Sequence, residues 1–162
     1  MVRAAVLALA LLAAGCGFQP LYGERSAGGN GRLAVAVAPL AEREGQALRA
    51  ALRRAFDSSR QAEYQMDVTL RERVRIAAVD ARGDAIRKRM TMTASWRLWP
   101  VGQRGEAKPV TGEARAYEAF NVLASDYANV TAERAARLRA VERLAHNIAA
   151  AATARVQAGK AK

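Results

Sequence analysis

The chain has one cysteine and one histidine among 162 residues, and its 15 acidic residues are outnumbered by 26 lysines and arginines. A single cysteine excludes an intramolecular disulfide, so the fold must rest on packing alone. The lone histidine, His146, has no cysteine or second histidine to help it hold a metal, and it reads as a helix-surface or partly buried residue. A Gly-x-Ser-x-Gly elbow, a phosphate loop and a dinucleotide fingerprint are all missing. The acids are scattered without a paired-carboxylate constellation. These absences lead to the expectation of no enzymatic activity, no catalytic or metal-ligating residue and no bound cofactor. No solenoid-length repeat is visible.

What is present begins at the amino terminus. Met1 to Arg3 is a short basic start, Ala4 to Ala14 is a run of Ala, Val and Leu, and Ala14-Gly15 supplies small residues suited to cleavage. The run meets Gly15, Gly17 and Pro20 well short of the roughly 20 apolar residues that span a bilayer. It therefore reads as a secretory signal, residues 1–15. Set between Gly15 and Gly17, Cys16 resembles the acceptor of a bacterial lipoprotein signal, although Ala13 stands where that pattern usually has Leu. The resemblance implies S-diacylglycerol and N-acyl lipid on Cys16, and with Gly17 rather than Asp next, export to the outer membrane.

Loss of Arg3 with the signal takes the 26 basic residues to 25 against 15 acids, a formal balance of +10. Such an excess favours an anionic partner, and a secretory route argues for phospholipid or phosphorylated glycolipid over nucleic acid. Gly23 to Gly31, GERSAGGNG, is too glycine-rich and polar to pack and reads as a tether. About ten such residues span roughly 17 Å. This places an acylated amino terminus and tether at 16–31, one domain at 32–157 and a disordered tail at 158–162.

Within the domain, Arg32 to Pro39 alternates Leu33, Val35 and Val37 with alanine and predicts a short strand ended by proline. Glu42 to Asp57 switches to helical period, with Leu48, Ala51, Leu52, Ala55 and Phe56 on one stripe and Glu42 and Glu44 in the first turn. Two long period-two runs follow. Tyr64, Met66, Val68, Leu70, Val74 and Ile76 are even, as are Ile86, Met90, Met92, Ala94, Trp96 and Leu98, while the odd positions are polar. Between them DARGD predicts a three-residue hairpin loop, Ala81 to Gly83, with Gly83 left-handed. With Asp80 opposite Asp84, paired positions sum to 164, so even faces even, Asp67 meets Arg97 and Arg75 meets Arg89. Glu72 and Lys88 are misfits on the apolar face. Val110 to Asn121 alternates weakly and predicts a fourth strand. Ala132 to Val156 predicts a long helix with Leu138, Val141, Ala145, Ile148 and Ala152 on its stripe. The expected fold is α+β in the order β-α-β-β-β-α, a two-layer sandwich with two amphipathic helices on one face of a mainly antiparallel four-stranded sheet. Arg82-Gly83-Asp84 is explained as turn rather than adhesion motif, and Asn129-Val130-Thr131 is a glycosylation triplet only in a host with that machinery.

Taken together, GCGFQPLYG, RLAVAV, REGQALRAALRRAF, the two alternating strands and SDYANVTAERAARLRAVERLAHNIAA resemble the lipopolysaccharide-assembly lipoprotein family LptE in its alphaproteobacterial form. Gly-Phe-x-Pro-Leu-Tyr after the cysteine is the most specific element. The resemblance implies a lipid-anchored protein at the periplasmic face of the outer membrane. It also implies a heterocomplex in which the chain plugs the β-barrel LptD and helps deliver lipopolysaccharide to the cell surface. Arg71, Arg73 and Arg75 repeat at about 6.6 Å, and Arg87, Arg89 and Arg97 share their side, which makes these six the candidate contacts for lipopolysaccharide or barrel. The plain alternative is a solvated basic face. Two other functions fit the sequence: an adaptor lipoprotein of another envelope assembly machine, and a nucleic-acid binder presenting Trp96, Trp99 and arginines.

Overall fold

The computed structural model describes residues 32–58 and 60–160. The signal peptide, Cys16 and the tether expected at 16–31 lie outside the described residues. Four strands and two helices follow in the expected order: β1 Val35–Val37, α1 Arg43–Ala55, β2 Tyr64–Val79, β3 Ala85–Pro100, β4 Val110–Asn121 and α2 Asp126–Lys160. The sheet order is β1-β2-β3-β4.

β2, β3 and β4 form an antiparallel meander, and β1 joins β2 in parallel over Val35↔Tyr64 to Val37↔Met66, so the sheet is mixed. The hairpin register holds from Tyr64↔Pro100 to Ile76↔Lys88 as the three-residue loop requires, and a bulge then shifts Ala78 opposite Arg87. Gly83 takes φ 90°, a left-handed conformation open to glycine without cost. Asp80 closes the loop by accepting the backbone N–H groups of Arg82 and Asp84.

Both helices bury their stripes on the even face. Met66, Met90, Met92, Ala94, Trp96 and Leu98 meet Leu48 and Leu52 of α1 and Leu144, Ile148 and Ala152 of α2. Small residues on α2 (Ala136, Ala140, Ala145) sit fully against this layer and let the helix approach closely. At Gly112 in β4 the ring of Trp96 and the guanidinium of Arg155 fill the place a side chain would take. Arg155 stacks over Trp96 at 5.3 Å and donates to the carbonyl of Thr111.

Three sequence readings are corrected. Leu138 is 55% exposed and does not belong to the buried stripe, which runs through Ala136, Ala140, Val141 and Leu144 instead. α2 begins at Asp126 rather than Ala132 and runs to Lys160, so residues 158–160 are helical rather than part of a tail. The weaker periodicity of Asp126 to Thr131 fits a turn that buries little, with Tyr127 82% and Val130 66% exposed. Glu42 precedes α1, with φ 65° and ψ 162°, and is not in its first turn. Such a conformation is rare outside glycine and stores strain.

The misfit Glu72 is now explained. It points at α2, where Arg137 reaches it at 3.0 Å while also pairing with Glu133. Glu118, likewise on the helix-facing side of β4, is held by Arg139 at 3.1 Å and Arg143 at 3.0 Å. Both acids stand on the apolar face because an arginine descends to meet each of them.

Candidate functional site: the open face of the sheet

Because the helices cover only even positions, every odd residue of β2, β3 and β4 faces away from the core. The register arranges them as rungs: Asp67–Arg97–Thr111, Thr69–Ser95–Glu113, Arg71–Thr93–Arg115, Arg73–Thr91–Tyr117 and Arg75–Arg89–Ala119. Neighbours across a rung are about 4.8 Å apart, and successive rungs about 6.6 Å. The surface is thus a floor of threonine and serine hydroxyls studded with guanidinium groups.

All six arginines singled out from the sequence are exposed on this one face. Arg71, Arg73, Arg75, Arg87 and Arg89 form one cluster toward the hairpin tip, with Arg75 directly opposite Arg89. None of the five makes an ion pair among the described residues. Arg115 on the same face, and Arg82, Arg104, Arg137, Arg139 and Arg143 elsewhere, do. The cluster therefore carries positive charge that the domain itself does not neutralise.

Arg97 is set apart, two rungs beyond Arg71. Its guanidinium lies 5.6 Å from the ring centroid of Trp99, and Arg104 of the β3–β4 loop lies at 5.7 Å over the same ring. Arg104 also pairs with Asp67. The loop is thereby strapped over the far end of the face and Trp99 is only 6% exposed. With Trp96 at 1%, neither tryptophan offers a stacking platform, and the nucleic-acid reading loses the aromatic surface it needs.

Arg115 joins the face from β4 and was not among the candidates. Its guanidinium is held above its ordinary value, first by the hydrogen bond to Glu113. Alternation in β4 already put it on the polar side. What the sequence lacked was the β3–β4 register, since Pro100 to Pro109 is too long and irregular a loop to set one. Asp67, Thr69, Arg71, Ser95, Arg97 and Arg155 border an open groove of about 480 Å³ near the strap.

His146 is exposed on α2. Among the described residues no group of three His, Cys, Asp or Glu side chains is placed to hold a metal ion. No helix among them is long and apolar enough to cross a membrane.

Comparison with known proteins adds to this geometry. The family model LptE, described as Lipopolysaccharide-assembly, matches residues 31–152. No curated protein sequence matches significantly. Several solved structures share the fold. A candidate lipoprotein from Caulobacter crescentus CB15 superposes with TM-score 0.59 at 19% identity, covering 75% of this chain and 89% of that one. Rare lipoprotein B from Shewanella oneidensis gives TM-score 0.54 at 12% identity, covering 80% of this chain and 98% of the other. Lipoprotein B from Nitrosomonas europaea, solved in solution, gives 0.51 at 12%, covering 76% and 86%.

Proposed function

The chain belongs to the LptE lipopolysaccharide-assembly family, and on that premise we propose that it is an outer-membrane lipoprotein, anchored through acylated Cys16, that plugs the β-barrel LptD. In this reading the pair forms the translocon that inserts lipopolysaccharide into the outer leaflet. The domain is a non-enzymatic wedge on the periplasmic side, and its open sheet face meets anionic groups of lipopolysaccharide or of the barrel wall.

The observation that carries the proposal is the uncompensated cluster Arg71, Arg73, Arg75, Arg87 and Arg89. Guanidinium groups set closer than a Debye length of about 8 Å repel one another unless anions intervene. Each is a planar fork matched to phosphate or carboxylate oxygens. The surrounding hydroxyls of Thr91 and Thr93 supply further donors at the same level.

Photo-crosslinking in the native membrane tests it. A crosslinker at position 73 is expected to capture lipopolysaccharide or a β-barrel protein, and one at His146, on the helical side, to capture much less. Equal capture from both positions overturns the assignment of the face. Mass spectrometry of the mature amino terminus tests the anchor: triacylated Cys16 supports it, and an intact Met1 contradicts it.

A further inference from the structure

β2 is the longest strand together with β3, yet β1 pairs with it only from Tyr64 to Met66. The chain then donates once more, Ala38 N–H to the Met66 carbonyl, and leaves at Pro39. Tyr64 N–H and Met66 C=O both point to the β1 side, and the two-residue period of a strand puts the N–H and C=O of Leu70, Glu72, Val74 and Ile76 on that same side. No strand among the described residues pairs with them. A bulge after Ile76 then ends the regular edge. β2 thus offers a free ladder over Leu70–Ile76, collinear with β1.

Exposed edges are normally blunted by short length, inward charges or proline. This one has a single inward charge, Glu72, already paired with Arg137, and otherwise keeps apolar side chains on its helix-facing side, with Val74 37% and Ile76 61% exposed. Its other side carries Arg71, Arg73 and Arg75. A strand added at this edge sets its alternate side chains beside those three arginines and the intervening ones beside Val74 and Ile76.

We infer that the β2 edge is a β-augmentation site for an extended polypeptide in which acidic and apolar residues alternate. Charge decides between occupants. A second copy pairing through the same edge in antiparallel sense puts Arg71 beside Arg75 and Arg73 beside Arg73, a row of six cations with nothing between them. The chain's own amino-terminal segment, CGFQPLYGERSAGGNG, has one acid, a proline and no alternation. An acidic/apolar strand satisfies the open backbone groups, the arginine row and the apolar strip at once. The inference stands apart from the lipopolysaccharide reading, since it requires only the edge and the row beside it.

The probe is the capped peptide EVEVEVE, added to the purified full chain and followed by residue-resolved amide exchange and by titration. Binding is expected to slow exchange at Leu70, Glu72, Val74 and Ile76, and to weaken at least tenfold for KVKVKVK. Val74→Pro removes one outward N–H while leaving the β2–β3 ladder its donors, and is expected to abolish binding. If that variant does not fold, EVEVEVE carrying N-methyl groups on its pairing edge serves instead, with the same expected loss. Undiminished binding of the N-methylated peptide, unchanged exchange at the four amides, protection along β4 instead, or a dimer of the chain protecting those amides each overturns the inference.

Discussion

Arg75 and Arg89 stand directly opposite one another in the β2–β3 ladder, two cations on neighbouring strands with no carboxylate between them. Like charges in that relation destabilise a sheet, and the domain keeps the pair together with three further unpaired arginines. Under the proposed function, a bound anion offsets that cost.

The first consequence concerns stability in the absence of any partner. Arg89→Thr, which continues the row of Thr91 and Thr93, should raise stability by about 0.5 kcal/mol at low ionic strength. The gain should shrink as salt screens the pair. Urea unfolding at two salt concentrations measures it, and a loss of stability, or a gain indifferent to salt, contradicts the account.

The Glu72–Arg137 contact ties α2 to β2 where the apolar face would otherwise have a gap. Arg137 Nε donates to both oxygens of Glu72 at 3.1 Å, and this hydrogen bonding is the first cause of the guanidinium's raised pKa. Glu72→Gln should cost about 1 kcal/mol, because both side chains are only partly solvated. A double-mutant cycle with Arg137→Gln should show coupling of about 0.5 kcal/mol or more, and none would mark the pair as merely solvated.

Gly112→Ala should be among the most damaging single changes in β4. Its new methyl group would overlap the buried Trp96 ring, which has no free space to retreat into, as well as the exposed and movable end of Arg155. Overpacking of this kind costs about 1–3 kcal/mol. Trp96→Phe, which removes the colliding part of the indole, should recover part of that loss in chemical denaturation, and an unaffected Gly112→Ala would refute the packing described.

Acid should loosen the hairpin tip. The Asp80 carboxyl is held below its ordinary value of 3.8, first by the backbone N–H of Asp84 and also by Arg82 and Gly83, against some desolvation. A depressed folded pKa means that the turn's extra stability is complete above the ordinary carboxylate value and is lost as pH falls through the lower one. NMR titration should give Asp80 a midpoint below 3.8 with faster amide exchange at Arg82 and Asp84 in acid. A midpoint at or above 3.8 contradicts the hydrogen bonding.

The hairpin was legible in the sequence because period-two alternation and a three-residue loop together leave one register, and Asp67↔Arg97 and Arg75↔Arg89 follow from it. Less legible were features set by distant elements. Nothing local to Glu72 announces that Arg137 waits 65 residues later. Leu138 has the spacing of a core residue, but the sheet below it is taken up by smaller side chains of the same helix. The parallel pairing of β1 needs the α1 crossover to be placed first. Among site residues, five arginines lie together on one face, while the strapping of Trp99 by Arg104 depends on a loop whose path has no sequence period to betray it.

The central claim is that the open face is an anion-binding surface, and Arg73→Glu with Arg89→Glu tests it most directly. Both side chains are exposed on the open face, so the double variant should fold and melt close to the parent. The account predicts that it loses at least tenfold in affinity for lipopolysaccharide or fails to copurify with the proposed β-barrel partner. Unchanged lipopolysaccharide binding together with unchanged barrel association would contradict it.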